Sequence, residues 1–202
     1  MDYQISEVFT SIQFEGLHSG TLARFVRFAG CNLDCKWCDT PQKNVAELIS
    51  LGELRKRINE DPIPQHIVLT GGEPTLQPIH KLIDFGEFED ERFIALETNG
   101  TQIVELIRCA DQGLGITFSP KNFAGWKDVY SQIETNDIAE VKIIEGTLTP
   151  YEFEWIIGRG WKRVYIQPQW GVKESFQRSI DLMNEYPYMR MSYQTHKLVG
   201  LR

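Results

Sequence analysis

Three of the four cysteines fall within eight residues, as Cys31, Cys35 and Cys38 in the spacing C-x3-C-x2-C. One loop can present three thiolates at that spacing to a single metal centre. Closed tetrahedral zinc sites and simple ferredoxin clusters take four ligands. A three-thiolate iron–sulfur cluster therefore leaves one iron open for a substrate or cofactor, which points to chemistry rather than scaffolding. The same residues allow two other arrangements. One is a structural zinc loop with a His as fourth ligand, but His18, His66, His80 and His196 are scattered and none stands at knuckle spacing. The other is a disulfide, but three close cysteines and the distant Cys109 make no regular framework, and Met1-Asp2-Tyr3-Gln4 opens no secretory signal. The chain is expected in the cytoplasm, where thiols stay reduced. Cys109 reads as a buried helix thiol without chemistry of its own.

The elements that must position this loop follow from the rest of the chain. Its 202 residues suffice for one domain, 1–202, with a sizeable core. A net charge of -7 disfavours a nucleic-acid partner, because a phosphate-binding face needs a basic surplus. No apolar run reaches membrane-spanning length, so no membrane partner is expected. Residues 5–20 mix strand-like and turn-like residues without a clear period. Residues 22–29 form a strand in which Arg24 and Arg27 have opposite parity, so one can point inward toward an anionic partner. A helix is expected over 46–59, then strands over 66–70, 92–97, 116–118, 140–144, 163–166 and 189–193. Helices over 76–85, 102–109, 126–132, 150–157 and 174–184 alternate with them.

Such alternation implies right-handed βαβ crossovers and a parallel α/β sheet. Six or seven βα units fall short of a closed eightfold barrel. The expected fold is a partial TIM-like barrel, with an open doubly wound sheet as the alternative. The polar motifs sit where strands end: the cysteine loop, Gly71-Gly72-Glu73-Pro74, Glu97-Thr98-Asn99-Gly100, Ser119-Pro120-Lys121, Gln167-Pro168-Gln169 and Gln194-Thr195-His196-Lys197. The helix-to-strand connections, 59–62 and 89–91, are chemically plain. In parallel architectures the carboxyl ends of strands share one edge, and sites form there.

With Trp37 before the third cysteine and the Gly71-Gly72-Glu73-Pro74 turn beyond, the chain resembles radical S-adenosylmethionine enzymes. Further motifs, among them Ser11-Ile12-Gln13-Phe14-Glu15-Gly16, Arg27-Phe28-Ala29-Gly30-Cys31, Cys38-Asp39-Thr40 and Gln194-Thr195-His196-Lys197, are similar to the 7-carboxy-7-deazaguanine synthase family from end to end. The resemblance implies a carbon–nitrogen lyase that contracts the ring of 6-carboxy-5,6,7,8-tetrahydropterin with loss of ammonia, in queuosine-type biosynthesis. It implies a [4Fe–4S] cluster on Cys31, Cys35 and Cys38, S-adenosylmethionine and Mg²⁺. It further implies a one-electron donor such as flavodoxin, and a homodimer.

Carried over by position, Ile12, Gln13, Phe14, Glu15, Arg27, Thr70, His196 and Arg202 would hold the pterin, Arg27 taking its carboxylate. Trp37, Cys38, Asp39, Gly72, Glu97, Ser119, Pro120, Lys121, Gln167, Pro168, Gln169 and Trp170 would hold S-adenosylmethionine. Thr40 would reach Mg²⁺. One departure stands out: the family's first loop usually reads Gln-Gly-Glu-Gly, and here Phe14 replaces the first glycine. A radical activase of a glycyl-radical protein shares the cysteine spacing, and a zinc-stabilised binding module is the alternative outside enzymes.

Overall fold

The computed structural model describes residues 1–39, 47–83, 92–121, 123 and 125–201. Strands β1 (Asp2–Gln13), β2 (Thr21–Phe28) and β3 (Glu47–Ser50) come first, then α1 (Leu51–Ile58) and β4 (His66–Gly71). Next are α2 (Ile79–Leu82), β5 (Phe93–Thr98), α3 (Ile103–Asp111), β6 (Gly115–Phe118) and α4 (Lys127–Ser131). The chain continues through β7 (Glu140–Ile144), α5 (Pro150–Ile157), β8 (Val164–Gln167), α6 (Lys173–Glu185), β9 (Arg190–Met191) and α7 (Thr195–Val199).

The strands make one sheet in the order β3-β1-β2-β4-β5-β6-β7-β8-β9. From β2 through β9 every neighbouring pair is parallel, whereas β1 runs antiparallel to both β2 and β3. The sheet therefore ends on β3 and β9 instead of closing on itself, an α/β incomplete barrel of seven parallel strands with a two-stranded antiparallel extension. All four residues of β6 and of β8 are buried, as strands covered on both faces require. The core lies between this sheet and its helices, with Phe28, Leu54, Ile67, Leu82, Leu106 and Ile156 inaccessible to solvent.

Three expectations are corrected. Residues 2–13 form a twelve-residue strand whose burial pattern alternates only at its start, which is why no period was visible. Residues 47–50 pair with β1 as a strand, and the helix begins only at Leu51. Ser50 fixes that boundary by accepting the Glu53 N–H at 3.2 Å. The helix expected over 76–85 is a 3-10 turn, Pro74–Leu76, followed by the single turn α2. Gln77 stays extended between them and exchanges two hydrogen bonds with the Gln4 backbone, at 2.8 and 3.0 Å. Residues 84 and 85 lie outside the described residues.

At the amino-terminal end of the strands, the turn Gly16–His18 tucks against Glu140, the first residue of β7. Leu17 donates its N–H to Glu140 Oε2 at 2.7 Å, and Gly16 donates to Ser192 Oγ at 3.3 Å. His18, His66 and Phe93 pack there, with ring centroids 4.1 to 5.2 Å apart. Burial, helped by the neighbouring His18, pushes the His66 pKa down to about 4. Between pH 6.5 and 4 the unfolded chain then binds a proton that the folded chain refuses. Stability should fall on acidification through that window by about 3 kcal/mol, and His66→Gln should flatten this part of the pH dependence of urea unfolding.

Candidate active site

Immediately after β2, the backbone of residues 28–30 is gripped by the turn that follows β4. Gly72 donates its N–H to the Phe28 carbonyl at 3.0 Å, and Glu73 donates to the Gly30 carbonyl at 2.8 Å. Gly71 has φ +129°, and a Cβ on Gly72 would stand 1.9 Å from the Gly30 oxygen. Only glycine allows so close a backbone approach. The Glu73 side chain is 1% exposed. Its Oε1 accepts from the Thr75 N–H at 3.1 Å, from the Thr75 hydroxyl and from the Thr98 hydroxyl at 2.7 Å. Its Oε2 accepts from the Asn99 N–H at 2.7 Å. Burial pushes its carboxyl pKa up, and these four donors oppose that push. Asn32, in the cysteine loop, closes the arrangement: it accepts from Asn99 Nδ2 at 3.1 Å and donates to Thr101 Oγ1 at 2.7 Å. The ends of β2, β4 and β5 are thus bolted into one rim.

Inside that rim lies a cavity of about 490 Å³. Cys31, Cys35 and Cys38 line it, with Ile12, Gln13, Glu15, Arg27, Trp37, Asp39, Thr70, Gly72, Glu97, Ser119, Lys121, Gln167 and His196. Sixteen residues singled out by the sequence thus face a single space. Phe14, Pro120, Pro168, Gln169 and Trp170 do not line it. Phe14 stands beside it, its ring 6.5 Å from that of His196. No non-glycine residue among those described has positive φ, so Phe14 occupies the glycine position without left-handed strain. Trp170 is 42% exposed, with the Lys197 ammonium 5.0 Å from its ring. Thr40 and Arg202 lie outside the described residues.

The inward-arginine question is answered by Arg27. Its Nε donates to Glu7 Oε1 at 2.7 Å, and its guanidinium lies 5.6 Å from the centre of the Phe9 ring. Arg24, of opposite parity, is buried elsewhere and donates to the Glu60 and Pro62 carbonyls.

The wall also includes Glu7, Phe9 and Lys142, which no sequence motif marks, and Gln194 and Lys197, which belong to the last strand-end motif but carry no separate role there. Gln194 donates to Glu15 Oε1 at 3.2 Å and to Asp39 Oδ2 at 2.9 Å, and Lys197 also donates to Asp39. Burial works against ionising Asp39, but these donors outweigh it and hold the carboxyl below its usual range. The carboxy-terminal segment is thereby tied to the cysteine loop. Lys121 donates to Ser119 Oγ at 2.9 Å, and burial holds its ammonium below the usual lysine range.

The donor set fits an iron–sulfur cluster with a bound cofactor. Among the described residues no three His, Cys, Asp or Glu side chains converge as ligands of a single ion. Such a cluster would take one thiolate on each of three irons, and all three cysteines line this cavity. The Trp37 indole N–H, in the same loop, is buried without a partner among the described residues and can donate to a bound group.

Gly72→Ala should drive the cysteine loop off its seat. Iron and sulfide retained after anaerobic reconstitution should drop several-fold, and stability by about 2 kcal/mol or more, as backbone clashes do. Full cluster loading with an unchanged melting temperature would contradict this geometry.

The Radical SAM superfamily profile matches residues 25–116. The 7-carboxy-7-deazaguanine synthase of Haemophilus influenzae is 33% identical over 99% of this chain and 94% of its own length. That of Bradyrhizobium diazoefficiens is 33% identical over 100% of both chains, and that of Aquifex aeolicus 32% identical over 98% and 94%. The crystal structure of QueE from Escherichia coli has the same fold, with a TM-score of 0.72 over 96% of this chain and 94% of that one at 21% identity. At 33% identity over essentially its whole length to such synthases, the chain belongs to the 7-carboxy-7-deazaguanine synthase family of the radical SAM superfamily.

Proposed function

We propose that the cavity binds 6-carboxy-5,6,7,8-tetrahydropterin and converts it to 7-carboxy-7-deazaguanine and ammonia. The observation that carries this reading is the meeting, in one cavity, of the three cysteines with Glu15, Glu97 and Arg27. When bound, a [4Fe–4S] cluster on Cys31, Cys35 and Cys38 and S-adenosylmethionine supply the radical chemistry that removes a substrate hydrogen. The products contain all the atoms of the substrate, so the conversion needs no net oxidant.

The chain's own residues bind and orient. Glu15 carries two acceptor oxygens for the N–H donors of the 2-amino-4-oxo ring edge. Gln13, fixed by accepting the Glu15 N–H at 3.0 Å and by donating to Glu97 Oε1 at 3.4 Å, flanks the same edge. Arg27 spends its Nε on Glu7, and the guanidinium has further N–H donors for the substrate carboxylate. His196, beside Phe14, covers the pterin. Trp37, Asp39, Gly72, Ser119, Lys121 and Gln167 face the S-adenosylmethionine side. Thr40 belongs to the reading as a Mg²⁺ ligand together with substrate carboxylate and water, because Mg²⁺ favours an octahedral oxygen shell. A one-electron donor such as flavodoxin, a homodimer and a cytoplasmic setting complete it. No helix among the described residues is long and apolar enough to cross a membrane.

Anaerobic turnover with a reductant, S-adenosylmethionine and carboxytetrahydropterin should yield both 5′-deoxyadenosine and 7-carboxy-7-deazaguanine. Cys35→Ala should reduce both by at least about a thousandfold, the scale on which loss of an essential centre shows. 5′-Deoxyadenosine without the deazaguanine would keep the superfamily chemistry and reject the substrate. A colourless, zinc-loaded protein would reject both.

A further inference from the structure

Lys142 stands third in β7, where nothing in the strand-end motifs marks it. It is 6% exposed, and its ammonium lies 2.7 Å from Glu15 Oε2 and 3.4 Å from Glu97 Oε1. The two carboxylates come from distant parts of the chain, the turn after β1 and the end of β5. Their other oxygens are also engaged: Gln194 donates to Glu15 Oε1 at 3.2 Å, and Thr70 donates to Glu97 Oε2 at 3.0 Å. Glu140 lies two residues before Lys142 on the same face of β7 and accepts from Thr117 Oγ1 at 3.0 Å. Lys121 and His196 face this group from the β6 end and from α7, and Asp39 reaches it through Gln194.

We propose that Lys142 is a positioning residue for the substrate. It keeps Glu15 charged, and it holds Glu15 and Glu97 aimed as paired acceptors for the N–H-bearing edge of the ring. The proposal rests on the reading of this cavity as the pterin site.

Three carboxylates, those of the partly buried Glu15 and Glu97 and of the buried Glu140, share one buried ammonium. Like charges at this spacing cannot all stay ionised out of water without a cation among them. Burial alone would raise the Glu15 carboxyl pKa, yet Lys142 and Gln194 reverse the push and hold it below the usual range. At Glu140, farther from the ammonium, burial prevails and the pKa is raised. Burial opposes the charge on Lys142, but the surrounding carboxylates more than offset it and hold the ammonium above its usual range. Without the ammonium, burial pushes the Glu15 carboxyl up and Glu15 takes up a proton. A protonated carboxyl presents a donor where the ring also presents donors, so substrate binding must first expel that proton.

The test is anaerobic calorimetry of carboxytetrahydropterin binding to cluster- and S-adenosylmethionine-loaded protein without reductant. Two buffers of different ionisation heat should be used, at about pH 6 and about pH 7.5. Wild type should bind with no net proton exchange and an affinity independent of pH. Lys142→Met should release about one proton on binding and lose affinity by about tenfold per pH unit on acidification. Its S-adenosylmethionine affinity should be unchanged, and Lys142→Arg, which restores a cation, should restore the flat profile. A Lys142→Met affinity lowered equally at both pH values, with no proton release, would make Lys142 merely structural and overturn the proposal. Should Lys142→Met not fold, wild type decides: its affinity must stay flat down to about pH 5.5, and an acid limb near neutrality would overturn the proposal. Wild type that cleaves S-adenosylmethionine but binds no carboxypterin at any pH would overturn the substrate reading, and this proposal with it.

Discussion

The buried carboxylate of Glu73 is the joint on which the site depends. A charge removed from water is tolerated only when donors replace the lost hydration, and breaking such a network costs about 3–5 kcal/mol. Glu73 has four donors, from Thr75, Thr98 and Asn99, and its own N–H holds Gly30. The side chain satisfies one strand end, the main chain grips another, and the residue itself continues a third. The two glycines before it let backbone meet backbone where any side chain would intervene. The cysteine loop is thus held at its start, by Gly30 and Asn32 on either side of Cys31, and all three cysteines line the cavity.

A second constraint operates deeper in the barrel. The sheet does not close, and the turn after β1 bridges its far strands by bonding Gly16 to Ser192 and Leu17 to Glu140. That turn also delivers Glu15 to Lys142. Tying the turn to β7 and placing a carboxylate in the pocket are therefore done by the same few residues. Substitutions near Gly16 should be felt in both. At the opposite end of the chain, Gln194 donates to Asp39 and Glu15 and Lys197 donates to Asp39, so the carboxy-terminal segment is tied both to the cysteine loop and to the turn after β1.

Much of this was legible in the sequence because strand-end position is a strong signal. Apolar runs such as Ile67-Val68-Leu69 and Val164-Tyr165-Ile166 locate buried parallel strands, and whatever polar residue follows must stand at their carboxyl edge. What escaped had physical reasons. β3 looked helical because Leu48, Ile49 and Leu51 fit helical spacing, although Ser50-Leu51-Gly52-Glu53 carried a cap signature that places the helix start after Ser50. The role of Gln77 could not be read, since it depends on a partner 73 residues away. Lys142 lies inside a strand rather than at its end. The signal that could have found it is parity: Glu140 and Lys142 alternate with the apolar Val141 and Ile143, and two charges on one face of a buried strand require a polar lumen.

The central claim is that one cavity holds the radical source and the pterin together. Turnover of carboxytetrahydropterin deuterated at its saturated ring carbons, followed by mass spectrometry of the recovered 5′-deoxyadenosine, tests it most directly. Deuterium in the 5′-deoxyadenosine, formed only when pterin is present, is the result this account predicts. Unlabelled 5′-deoxyadenosine, formed at the same rate with and without pterin, would contradict it.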